Sequence, residues 1–138
     1  MQNFLDIPKE RILATTENFF IIKDAFPVSP GHLLIISQIV RKDFFELTNE
    51  EKQELMACIE LAKEIITNEY NPDGYNIGMN CGQAAGQTVF HFHCHVIPRY
   101  IGDMENPRGG VRHCVAGKGD YDLFNLKLTN GPNQRRPQ

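Results

Sequence analysis

Three imidazoles at alternate positions, His91, His93 and His95, are the residues of this chain best able to do chemistry. Successive side chains on a strand point to opposite faces, so a strand over 91–97 puts all three on one side. Phe92, Cys94 and Val96 then face the other way, into a core. Pro98 and Arg99 are expected to end the strand, because proline cannot donate to a sheet ladder. A strand with only a structural role gains nothing from crowding three groups that titrate near neutral pH onto one face. Two chemistries remain. The histidines can ligate a metal, since imidazole suits zinc and similar ions. Alternatively, the central imidazole attacks phosphorus while neighbours hold phosphate oxygens. Asn80, Gln87 and Thr88 are neutral hydrogen-bonding groups suited to phosphate, and no carboxylate lies in the ten positions before His91.

The elements that must position these residues fit one domain of 138 residues, 1–138. Its apolar share of 41% and charged share of 22% are ordinary for a globular chain. A net charge of −3 argues against a nucleic-acid polymer as partner, which would demand clustered Lys and Arg. The first ten residues carry Asp6, Lys9 and Glu10 and no long apolar run, so no signal peptide is expected. No stretch approaches the roughly 20 apolar residues of a membrane helix. Cys58, Cys81, Cys94 and Cys114 form no Cys-x-x-Cys pair and read as reduced thiols of a cytoplasmic protein.

In chain order, residues 12–15 and 18–23 read as β-rich strands around a polar turn at Thr16 and Glu17. The continuous run Phe19-Phe20-Ile21-Ile22 predicts a strand covered on both sides. Asp24 closes it, and a carboxylate there is either a turn former or an acceptor for sugar hydroxyls. Two prolines and a glycine make 26–31 a loop, followed by a third strand over 32–36. Thr48 and Glu51 form a capping-box pattern, and Leu55, Cys58, Ile59, Ala62, Ile65 and Ile66 recur at helical spacing to about residue 68. Residues 41–47 add a short helical turn ahead of it. A fourth strand spans 75–80, and the small-residue loop 81–87, with Gly82 and Gly86, lets backbone N–H groups approach an anion. Beyond Arg99 the chain becomes loop-rich. Arg108, Arg112 and His113 within 107–113 suggest either an ordinary exposed loop or an arm lending charge to a polyphosphate. Residues 121–128 carry some apolar content and are expected to dock, and 130–138 are expected to be disordered. This order of elements predicts an α+β domain, an antiparallel sheet of about five strands with one main helix on it.

The stretch His91-Phe92-His93-Cys94-His95-Val96-Ile97 resembles the signature of the histidine triad (HIT) superfamily. So do Asn80, Ala85-Gly86-Gln87-Thr88-Val89, and Pro30-Gly31-His32-Leu33-Leu34-Ile35 preceded by Asp24; the likeness covers about residues 10–103, with 104–129 as a loop-rich arm. The resemblance implies the HIT-like fold and a homodimer. It implies His93 as nucleophile, flanked by His91 and His95, with Gln87 also catalytic. It places Asp24 at the ribose, Asn80 and Thr88 at phosphate, Ile22 and Leu34 in an apolar slot for a base, and His32 beside the triad as a supporting residue. The cysteine pair near the start with which many relatives bind a structural zinc is missing, so no metal is predicted. The implied reaction is attack on the α-phosphorus of a nucleotide, a covalent nucleotidyl-histidine, and release of a nucleoside monophosphate by water. It requires no cofactor, although magnesium can accompany a polyphosphate substrate. Retention of His95, where the nucleotidyltransferase branch carries glutamine, favours hydrolysis. Ala85–Thr88 and Val96–Arg99 look like the fragile histidine triad branch, which cleaves dinucleoside polyphosphates. Asp24 leans instead to the nucleotide-binding branch, which hydrolyses phosphoramidates. A non-catalytic nucleotide sensor, and a metal module ligated by His91, His93 and His95, are the rivals from other classes.

Overall fold

The computed structural model describes residues 4–122. The chain divides after Tyr100 into two compact units, Met1–Tyr100 and Ile101–Gln138. The first holds five strands, β1 (Ile12–Thr15), β2 (Phe19–Lys23), β3 (Leu33–Ser37), β4 (Gly74–Gly78) and β5 (His93–Arg99), and one helix, α1 (Asn49–Thr67). The sheet runs β1-β2-β3-β5-β4, with its neighbouring strands paired antiparallel.

Register sorts the side chains onto two faces. Ile22 pairs with Leu34, and Leu34 with His95; Phe20 pairs with Ile36, and Ile36 with His93. Directly opposed residues share a face, so these apolar residues lie on the histidine side. The other side carries Phe19, Ile21, Leu33, Ile35, Cys94 and Val96, packed with Leu55, Cys58, Ala62 and Ile66 of α1. Helix spacing of three and four residues turns those four onto one stripe. Leu55, Cys58 and Ala62 are fully buried, each apolar side chain of Leu size contributing about 1.5–3 kcal/mol. Because each face has its own core, β2 is buried from Phe19 to Ile22, as its unbroken apolar run predicts.

The helix begins as the sequence indicates. Thr48 Oγ1 accepts from Glu51 N at 3.1 Å, and Glu51 Oε1 accepts from Thr48 N at 2.7 Å. Glu51 also receives the Arg41 guanidinium, Nε to Oε1 at 3.0 Å. A 3₁₀ turn, Phe44–Glu46, precedes it, capped by Asp43.

The histidine strand is shifted from its expected bounds. It starts at His93 rather than at 91, and continues through Pro98 to Arg99. Ahead of it, Phe92 N donates to Arg41 O at 2.6 Å, so that stretch is tied to the segment after β3. Pro98 is tolerated because pairing with β3 stops at Leu33–Val96, while β4 runs on to Gly74–Arg99. At Pro98 the strand therefore has a neighbour on one side, where a missing N–H costs nothing.

In the second unit, a 3₁₀ turn spans Gly110–Cys114. Arg108 pairs with Asp120, at 3.4 Å, and with Asp122. The guanidinium groups of Arg108 and Arg112 sit 5.2 and 5.7 Å from the Tyr121 ring centroid. The charge of Arg108 is thus paired within this unit. The docking expected of 121–128 falls beyond Asp122, and the disorder expected of 130–138 falls wholly outside the described residues.

Candidate active site

The three triad histidines do three different things. His91 lies before β5 and is buried; its Nε2 is 2.7 Å from Ser37 O. A carbonyl only accepts, so Nε2 carries the hydrogen. Phe4 covers the pair His91 and His93 edge-on, with ring centroids at 5.5 and 5.1 Å. His93 Nδ1 is 2.8 Å from the main-chain oxygen of His91. By the same logic Nδ1 holds the hydrogen, and Nε2 of this half-buried ring keeps its lone pair. The donor atoms of His91, His93 and His95 are not gathered within metal-site distance of one another among the described residues.

His95 belongs to a second group. Its Nδ1 is 2.9 Å from His32 Nε2, which in turn lies 3.3 Å from Asp24 Oδ2. Asp24 Oδ2 is 3.8 Å from His95 Nδ1, and Oδ1 accepts the Phe26 N–H at 2.8 Å. Asp24 is therefore a turn former through one oxygen and a neighbour of the histidines through the other. The three donor atoms of Asp24, His32 and His95 lie within 4.8 Å of one another, the one His/Cys/Asp/Glu cluster of metal-site dimensions among the described residues.

Burial favours the neutral form of His95, His32 and His91. It pushes His95 down to about 4, helped by the neighbouring His93 and His32 and opposed by Asp24. His32 is lowered by burial against the pull of Asp24. His91 is lowered by burial and by His93, while its bond to Ser37 opposes. A neutral imidazole is the form that can act as nucleophile or as a hydrogen-bond donor of fixed orientation.

The other expected site residues divide. Ile22 and Leu34 are buried on the histidine face under Phe4, in the cluster that also holds Phe20 and Ile36. Beside them a groove of about 250 Å³ is lined by Phe4, Ile7, Ile12, Thr15, Phe20 and His91, among others. Asn80 and Thr88 are exposed, Asn80 two residues past the end of β4. Gln87, expected to be catalytic, is buried and engaged by the backbone here. Its Oε1 accepts from Gly82 N at 2.8 Å, and its Nε2 donates to Lys42 O at 2.6 Å and Val89 O at 3.1 Å. Both amide hydrogens are committed, so this buried side chain closes the 82–87 loop and leaves no donor for a phosphate. Ser37 carries no signal in the sequence, and Phe4 is readable there only as an apolar anchor for the first ten residues. Ser37 acts through a backbone oxygen, which no residue type encodes.

A HIT domain model matches residues 6–102, and the chain belongs to that family. Among curated relatives, the AP-4-A phosphorylase of Mycobacterium tuberculosis (strain ATCC 25618 / H37Rv) is 33% identical over 108 residues, covering 74% of this chain and 55% of that protein. The bis(5'-adenosyl)-triphosphatase of Dictyostelium discoideum is 35% identical over 100 residues, covering 72% of this chain and 67% of the relative. This chain thus spans from about half to two thirds of the length of these relatives. Among solved structures, a HIT family protein from Bacillus anthracis aligns at a TM-score of 0.63 with 37% identity, covering 67% of this chain and 65% of the other. A zinc-bound histidine triad family protein from Mycobacterium smegmatis aligns at 0.62 with 34% identity, covering 69% of each chain. These neighbours carry the same α+β arrangement. No helix among the described residues is long and apolar enough to cross a membrane.

Proposed function

We propose that this chain is a nucleotide hydrolase that cleaves dinucleoside polyphosphates at the α-phosphorus through a covalent nucleotidyl-histidine on His93. The observation that carries the reading is the His93 Nδ1 contact with the His91 carbonyl at 2.8 Å, which leaves Nε2 as the free nucleophile. That nitrogen forms the N–P bond as the bond from phosphorus to the leaving phosphate breaks. Water then releases the nucleoside monophosphate and restores the ring. Relatives named as a bis(5'-adenosyl)-triphosphatase and as an asymmetrical bis(5'-nucleosyl)-tetraphosphatase support the substrate class. Within this proposal Asp24 takes the ribose, Asn80 and Thr88 the phosphates, and the groove beside Phe4 the base. Magnesium arrives with the polyphosphate and no resident metal takes a step. The proposal includes a homodimer and a cytoplasmic setting.

Phosphoramidate hydrolysis is the second reading, favoured by Asp24. A product assay with diadenosine tetraphosphate and adenosine phosphoramidate, run with and without chelator and inorganic phosphate, tests both. Chelator-resistant AMP from the tetraphosphate is expected. Product that appears only with added phosphate would replace water by phosphate as the acceptor, as the name of the M. tuberculosis relative suggests. His93→Ala is expected to abolish turnover and keep nucleotide binding; retained turnover removes the nucleophile assignment. Binding without product from either substrate would leave the sensor reading.

A further inference from the structure

The Asp24–His32–His95 group has the dimensions of a metal site, yet one backbone hydrogen decides otherwise. Val28 N donates to His32 Nδ1 at 3.2 Å. An amide nitrogen cannot accept, so His32 Nδ1 must hold its lone pair and the hydrogen of the neutral ring sits on Nε2. Only 2.9 Å separates that Nε2 from His95 Nδ1, so His95 Nδ1 is the acceptor and the hydrogen of His95 is on its own Nε2. We propose that the Val28 amide, acting through His32, locks His95 as the Nε2–H tautomer, turning a three-ligand cluster into a hydrogen-bonded chain that presents one fixed donor to the substrate. Val28 and His32 are positioning groups; His95 is the group that touches substrate.

Two consequences follow from the direction of the chain. A metal on His32 Nε2 requires the ring hydrogen on Nδ1, where it would meet the Val28 N–H head-on. The cluster is therefore disfavoured as a zinc site despite its donor set. The chain also ends in a peptide N–H, which does not give up its hydrogen. His95 Nε2–H can donate a hydrogen bond to the leaving oxygen, but its Nδ1 cannot be resupplied through His32 without making an imidazolate. No proton moves in the step. The electron pair of the broken P–O bond stays on a phosphate that leaves as a stable anion, stabilised by that one bond. The fixed donor thus serves a phosphate leaving group without a proton transfer, an inference that rests on the reaction proposed above.

The test reads tautomers directly, apart from activity. Long-range ¹H–¹⁵N correlation spectra of the full chain with labelled histidine, at neutral pH, are expected to give His32 and His95 as Nε2–H and His93 as Nδ1–H. His95 as Nδ1–H, or as an even mixture, overturns the proposal. Equimolar zinc chloride is expected to leave the His32 and His95 signals in place; their shift or loss also overturns it. Val28→Pro removes the donor hydrogen, and is expected to lose the Nε2–H preference at both rings and gain zinc binding, while Val28→Ala, which keeps the amide, matches the parent. A folded Val28→Pro that retains both tautomers sinks the lock. Should that variant fail to fold, the parent spectrum still decides. Absence of hydrolysis would remove the proposed function without altering any of these spectra.

Discussion

Replacing Glu51 with alanine is expected to damage the triad from the far end of a helix cap. Glu51 is 2% exposed. Its carboxylate accepts from Thr48 N and from Arg41 Nε, at 2.7 and 3.0 Å. Loss of half a capping box costs about 1 kcal/mol. Removing one partner of a fully buried ion pair costs roughly 3–5 kcal/mol, but Arg41 keeps 27% of its side chain in solvent, so about 1–2 kcal/mol of that applies. The sum is about 2–3 kcal/mol, which for a chain of this size lowers Tm by roughly 6–12 °C. Activity should fall further than the folded fraction does, because Arg41 O takes the Phe92 N–H at 2.6 Å, one residue before His93. Glu51→Gln keeps the acceptor oxygen and loses the charge, and should lie between. Thermal denaturation beside AMP release at a temperature where the variant is folded would measure both effects. A shift below about 1 °C, or activity that tracks the folded fraction alone, refutes the coupling.

Gln87→Ala strips three hydrogen bonds from a buried side chain and should cost about 1–3 kcal/mol, seen in denaturant unfolding, with faster proteolysis at residues 82–87. Leu55→Ala, under the sheet, should cost about 2–5 kcal/mol while a folded sample keeps its KM, since the helix-side core is on the opposite face from the histidines. The neutral state of His95, held by burial to about 4, is stability that is complete above the ordinary value of 6.5 and lost as pH falls through the window down to about 4. His32 and His91 shift in the same direction, so unfolding free energy should decline across that window, and a flat profile there contradicts the burial argument. Burial pushes the Cys94 thiol up to about 12 and also raises Cys58, so a thiol reagent should modify exposed Cys114 in the native protein and leave those two intact until unfolding.

What the sequence made legible was whatever periodicity or side-chain type encodes. Alternation placed Cys94 and Val96 in the core and His93 and His95 opposite; Thr48 and Glu51 marked the helix start to the residue. What it hid was written in the backbone. Nothing in the identity of Phe92 says that its N–H will pair with Arg41 O and hold His91 outside the strand. The glutamine beside a histidine cluster looks like a ligand group by type, yet the fold meets it with the carbonyls of Lys42 and Val89 and the N–H of Gly82. The Val28 amide is invisible for the same reason, since every non-proline residue carries one.

A sheet with a separate core on each side has an evolutionary consequence. Helix-side residues such as Ile21, Ile35 and Cys94 are hemmed in by α1, and any change of volume there is felt as lost stability. One position along, Ile22, Leu34 and Ile36 answer to Phe4 and the short leader around it. Drift in the leader can therefore reshape the histidine face while the fold is held by the opposite one. Lineages of this chain are free to explore new ligands by small steps, each survivable, without rebuilding the strand that bears His93 and His95.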